Sequence, residues 1–129
     1  MSHFVRIKTE FRERDFLLQA LRDLDWTVEE GRDVPVRGDQ TVAEKAEIVA
    51  RLGPAVDVGF RRAGDGYEIV ADWFHIQMQS DVRREFFLAS LNRRYAYLVV
   101  CDQAREQNLI VEEETLPDGD IVLTLSERG

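Results

Sequence analysis

Cysteine is almost absent. Cys101 is alone in 129 residues, so no intramolecular disulfide can form and the fold must stand on its core. Histidine is nearly as scarce. His3 and His75 are far apart in sequence, and neither sits at the spacing that preorganises a metal site, so no metal or other cofactor is expected. Lysine is limited to Lys8 and Lys45 among 17 basic residues, the rest being Arg. Positive charge is itself in deficit, with 25 acidic residues and a net charge of −8. Such a surface repels polyanions, which argues against general binding of nucleic acid or of an anionic membrane surface. No apolar run is long enough to span a bilayer, and no basic segment followed by an apolar one opens the chain. The expected compartment is therefore the reducing cytoplasm. What is present is a core: 44% of residues are hydrophobic, with seven Phe, three Tyr and two Trp, which excludes intrinsic disorder. The length fits one domain, residues 1 to 129.

Hydrophobic periodicity divides the chain into short elements. Residues 3 to 9 read as a half-exposed strand. Leu17, Leu21 and Leu24, with Phe16 and Ala20, form one helical stripe over about 15 to 24. A short strand is expected over 26 to 30, and residues 31 to 43, with Gly31, Pro35 and Gly38, read as a surface loop. A strand over 45 to 52 stops at Gly53-Pro54. Val56, Val58 and Phe60, then Ala63-Gly64-Asp65-Gly66, then Tyr67, Ile69, Ala71 and Trp73 spell a β-hairpin. After Trp73 the chain leaves the sheet. Ser80 is the expected N-cap of a helix carrying Val82, Phe86, Phe87 and Leu91, and residues 93 to 108 read as a further helix stopping at Asn108. A second hairpin closes the chain, with a Pro117-Asp118-Gly119 turn. This order predicts an α+β fold, a mostly antiparallel sheet with two or three helices packed on one face.

Several stretches carry a resemblance: Ser2-His3-Phe4 with Ile7-Lys8-Thr9, Lys45-Ala46-Glu47-Ile48-Val49, the hairpin from Asp57 to Glu68, Ala71-Asp72-Trp73 and Arg94-Tyr95-Ala96-Tyr97. In this order they resemble an uncharacterised family of cyanobacteria, algal plastid genomes and other bacteria, classed as a domain of unknown function. The likeness covers nearly the whole chain. It departs at Leu98-Val99-Val100-Cys101, more apolar than expected, and at Asn108, which stands for a more usual glycine. The resemblance implies no activity. It implies one partner class, an AAA-type ATPase.

The chemistry-bearing residues are few. Cys101 lies among Leu98, Val99 and Val100, where a free thiol behaves as a small inert hydrophobe. Asp72 is the one charge in Ala71-Asp72-Trp73-Phe74 and is expected half-buried against an Arg, an ion pair before it is a general base. His75 should diverge from it unless the strand has ended. Three Arg pairs, 61-62, 83-84 and 93-94, suggest an anion site in which Arg62, Arg84 and Arg94 converge with Tyr95 and Tyr97 as walls. The competing reading makes them surface partners of abundant carboxylates. Gly64-Asp65-Gly66 joins two strands and is a turn, not a phosphate loop. Glu112, Glu113 and Glu114 make the last hairpin acidic, either as a charge-protected edge or as a docking surface for a basic partner.

Two functions follow from these residues. The first is a non-enzymatic accessory or interaction protein of a multiprotein assembly, contacting partners through Trp73, Phe74 and the glutamates Glu112, Glu113 and Glu114. The second is a small-molecule or anion-binding domain, or a weak enzyme, using Arg62, Asp72, Arg94 and Tyr95. An interaction protein requires an exposed apolar patch; a ligand-binding one requires a pocket in which those polar groups meet.

Overall fold

The structure, a computed structural model, describes residues 4–39 and 44–128. His3 lies outside the described residues. In chain order the elements are β1 (Phe4–Lys8), α1 (Arg14–Asp23), β2 (Thr27–Val36), β3 (Glu44–Gly53), β4 (Val56–Ala63), β5 (Gly66–Asp72), α2 (Trp73–Gln79), α3 (Arg84–Glu106), β6 (Leu109–Thr115) and β7 (Ile121–Glu127). Strands β1-β5-β4-β3-β2 form one antiparallel sheet and β6-β7 another. The fold is α+β with mostly antiparallel sheet, as the periodicity predicts. The chain divides into two compact units, Met1–Tyr95 and Ala96–Gly129.

In the first unit, α1 buries Leu17, Leu18, Ala20 and Leu21. It ends where Asp25 adopts a left-handed φ of 67°, which lets Asp25 N–H reach the Arg22 carbonyl at 2.9 Å and Trp26 N–H the Leu21 carbonyl at 3.0 Å. The central hairpin forms as expected, with Phe60 opposite Ile69, Val58 opposite Ala71, and Gly64 at φ 58° in its turn. These residues and their neighbours Ile48 and Ala50 are buried on one sheet face, where Phe11 meets Phe60 edge-on with ring centroids 6.4 Å apart.

The other face is buried as well, contrary to the loop reading over residues 31–36; residues 37–39 follow that reading, and 40–43 lie outside the described residues. Strand β2 continues to Val36 after a slip in its pairing with β3 between Glu30 and Val34. Val34 and Val36 then gather with Ala46, Val49 and Phe4 into a second apolar cluster. The segment crosses β4 so closely that a Cβ on Gly59 would lie 2.4 Å from a methyl of Val36. Glycine inside a strand commonly marks such an approach. The loop reading failed because Gly31 and Pro35 dominated the local signal, whereas Val34 and Val36 are the residues that seal the sheet.

Two helical expectations also need correction. The chain leaves the sheet as expected but one residue earlier, so that Trp73 belongs to no strand, and it does so as helix α2, which buries Trp73 and Ile76. Ser80 is not the N-cap of the next helix. Its hydroxyl donates to the Ile76 carbonyl at 2.7 Å, closing α2, and accepts from Val82 N–H at 3.2 Å. The following helical stretches, 80–91 and 93–108, form one 23-residue helix, α3. Asn108 ends it with φ 54°, as expected.

Candidate functional site

The segment at residues 34–39 carries the most polar chemistry of the first unit. Asp57 and Asp72 are the fully buried charged side chains among the described residues. One Asp57 oxygen accepts from the Arg37 backbone N–H and Nε at 2.8 Å each and from Arg51 Nη1 at 2.7 Å; the other accepts from Arg37 Nη2 at 2.8 Å. Arg37 also donates to the carbonyls of Gly53, at 3.1 Å, and Pro54. Hydrogen bonding to Asp57 raises the pKa of the Arg37 guanidinium above its ordinary value against the opposing effect of burial. This ion-paired carboxylate was missed in the sequence. The signal was there: Asp57 and Gly59 share the alternate positions of a strand, and a small residue next to a charge invites a covering segment.

Asp72 is wholly buried, not half-buried, and it caps a helix. One oxygen accepts from His75 N–H at 3.0 Å, which starts α2, and the other from Asp39 N–H at 3.2 Å. The strand has therefore ended before His75. The His75 ring turns elsewhere, its Nε2 lying 2.9 Å from the Ala55 carbonyl.

The remaining residues of the expected anion pocket engage the first unit at separate places. Arg62 donates to the Arg12 carbonyl at 3.1 Å and lies 4.9 Å from the Tyr67 ring centre. The Tyr95 hydroxyl accepts from Arg12 and Glu13 N–H, both at 3.0 Å, and its ring packs on Phe11 at 4.8 Å and on Phe16 at 6.3 Å. These two residues thus meet on the turn entering α1. Arg94 donates to Asp23 at 2.7 Å, at the far end of that ten-residue helix, which is about 15 Å long. Burial would raise the Asp23 pKa, but hydrogen bonds from Gln19 and Arg94 outweigh it and lower the value. Arg84 stands over the Trp73 ring at 5.8 Å. Among the described residues, no three His, Cys, Asp or Glu side chains gather as a metal-ligand set, and no helix is long and apolar enough to cross a membrane.

An open concavity lies elsewhere, at the corner between α2 and α3. Its volume is about 1070 Å³, and Trp73, Phe74, Arg83, Arg84 and Phe86 are among its walls. Phe74 is 57% exposed, Met78 on the same short helix 67% and Phe86 73%. Trp73 is buried against Phe87, ring centroids 6.1 Å apart, and its indole N–H finds no acceptor among the described residues.

In the second unit the glutamates Glu112, Glu113 and Glu114 are exposed on β6. Tyr97 on α3 hydrogen-bonds the Glu113 carboxylate. That bond, with burial and the neighbouring Cys101 and Glu113 charges, pushes its pKa up to about 12.

Residues 20–124 match the family described as "Protein of unknown function (DUF1257)". The chain belongs to this family. Among its relatives, an uncharacterized protein ycf35 of Guillardia theta is 36% identical over 128 residues, covering 97% of this chain and 96% of the relative. The ycf35 protein of Pyropia yezoensis is 26% identical over 127 residues, covering 95% and 94%, and that of Cyanophora paradoxa 25% over 126 residues, covering 97% and 96%. No solved structure matches the chain.

Proposed function

We propose that this protein is a non-enzymatic accessory protein that docks a protein partner through the α2–α3 corner, in a reducing compartment such as the cytoplasm. The observation that carries the reading is the pair Phe74 and Phe86, both more than half exposed, on the walls of an open cleft, with Met78, also more than half exposed, four residues after Phe74 on α2. A small acidic protein gains nothing in stability from three large apolar side chains held in water, and aromatic residues, Met and Arg are the types enriched at protein interfaces. Arg83 and Arg84 at the cleft supply the cationic, stackable groups that such interfaces favour. The candidate ligand-binding groups, by contrast, are occupied: Arg62, Asp72, Arg94 and Tyr95 each hold together parts of the first unit.

The partner class to test first is the AAA-type ATPase implied by the family resemblance. Tagged wild type and M78D/F86D are recovered from the native cell and their co-purifying proteins compared by mass spectrometry. The expected result is a partner, ATPase or other, retained by the wild type and lost from the variant, with thermal stability within about 0.5 kcal/mol of wild type. Identical recovery by both proteins, or no partner above background, rejects the docking face.

A further inference from the structure

We propose that a second copy of this chain pairs with strand β7, edge to edge and antiparallel, so that two β6-β7 hairpins join into one four-stranded sheet. Within the second unit β7 bonds to β6 on one side, and no strand lies on the other side of either among the described residues. A lone two-stranded sheet is marginal in water and gains stability from further strands or from packing against a helix.

The two edges of this hairpin are built differently. β6 carries three successive glutamates, Glu112, Glu113 and Glu114, the device by which an edge repels a like strand. β7 carries no charge from Ile121 to Ser126, and four of these six residues are Ile, Val or Leu, a composition that favours strand pairing. Val122 and Leu125 are each 42% exposed. An edge uncharged over six residues, beside one that carries three successive glutamates, is fitted for a partner strand.

Charge selects the copy and the register. Pairing β6 with itself would set two glutamate triplets one strand spacing apart, about 4.8 Å. Pairing β7 with itself moves them to the outer edges, about 14 Å apart and beyond the screening length of about 8 Å at physiological salt. Centred on Leu123, the pairing sets Ile121 opposite Leu125 and Val122 opposite Thr124 of the second copy. Over the paired residues Ile121 to Leu125 no charged side chain stands opposite another. Within the hairpin, Ile121, Leu123 and Leu125 share one face with Thr115, Glu113 and Val111 opposite them, so the joined sheet brings the apolar residues of the two β7 strands side by side at its centre.

Sedimentation equilibrium of the full chain tests this with V122K, T124K and V122K/T124K. Within one hairpin these lysines face Glu114 and Glu112, so they support the fold. Across the two-fold axis each single lysine meets a neutral residue, but the double variant places lysine against lysine twice. The expected result is a wild-type monomer–dimer equilibrium, single variants within about threefold of it, and a double variant weaker than their product by at least about tenfold. In the wild type, hydrogen exchange of β7 amides should also slow as concentration rises. A wild type that is monomeric up to about 1 mM, well above the range of specific weak pairs, overturns the proposal. So does a double variant that dimerises as the singles predict.

Discussion

Arg37 and Asp57 fasten the end of β2 across the sheet: two guanidinium nitrogens lie 2.8 Å from the two oxygens of a carboxylate with no solvent exposure. A buried carboxylate stripped of a partner keeps its desolvation cost without its compensation. R37A, with Arg51 still in place, should therefore cost about 3 kcal/mol in urea unfolding. D57A should cost a similar amount. Because either change removes the same interaction, R37A/D57A should cost less than the sum by about 1–3 kcal/mol. Strict additivity would show that the two residues do not act as a unit.

Gly59 and Val36 make a second test of the covering segment. The added methyl of G59A would stand 2.4 Å from Val36 and 3.1 Å from Ala46, so it forces the segment away from the sheet. The expected loss is about 2 kcal/mol. V36A alone leaves a cavity and costs about as much. Combined, the methyl gained at 59 occupies space vacated at 36, and the double variant should be at least about 1 kcal/mol more stable than the sum predicts. Thermal or urea unfolding reads this directly.

Tyr97 sets the alkaline behaviour of the second unit. Its neutral hydroxyl donates to the Glu113 carboxylate, and ionisation would set two negative groups together, which raises its pKa from an ordinary 10.0 to about 12. A group whose pKa rises on folding stabilises the fold below its unfolded value and loses that contribution as pH climbs through the folded value. Stability should accordingly fall between about pH 10 and pH 12. Y97F should lack this component. In a spectrophotometric tyrosine titration, E113Q should bring the late ionisation back toward 10.0; a titration unchanged by E113Q would remove Glu113 as the cause.

The elements that were legible in sequence are those whose signal is local. Val56 to Phe60 and Tyr67 to Ala71 alternate around a glycine turn, and a register follows from that alternation alone. Asn108 could be read as a helix end because few side chains tolerate positive φ. Residues 31–36 were misread because their strand character depends on what they cover, and two valines around a proline are too short a pattern to outweigh it. Trp73 to Gln79 was misread for a related reason. Its helix begins on the Asp72 carboxylate, and a carboxylate in a strand gives no sign that it will cap.

The candidate sites divide in the same way. Composition by itself determined that the chain has a core, cannot be stapled by an internal disulfide and carries a net charge of −8; hydrophobic periodicity determined an α+β chain with a central hairpin. Only the tertiary structure decided what the polar residues do. It gave Asp57 two arginines, turned Asp72 into a helix cap, sent Arg62 and Arg94 to opposite ends of α1, and left Phe74, Met78 and Phe86 in solvent. The physical reason is range. Backbone periodicity is set by neighbours three or four residues apart, whereas the Arg37–Asp57 and Arg94–Asp23 ion pairs join residues 20 and 71 positions distant in sequence, which pattern cannot bring together.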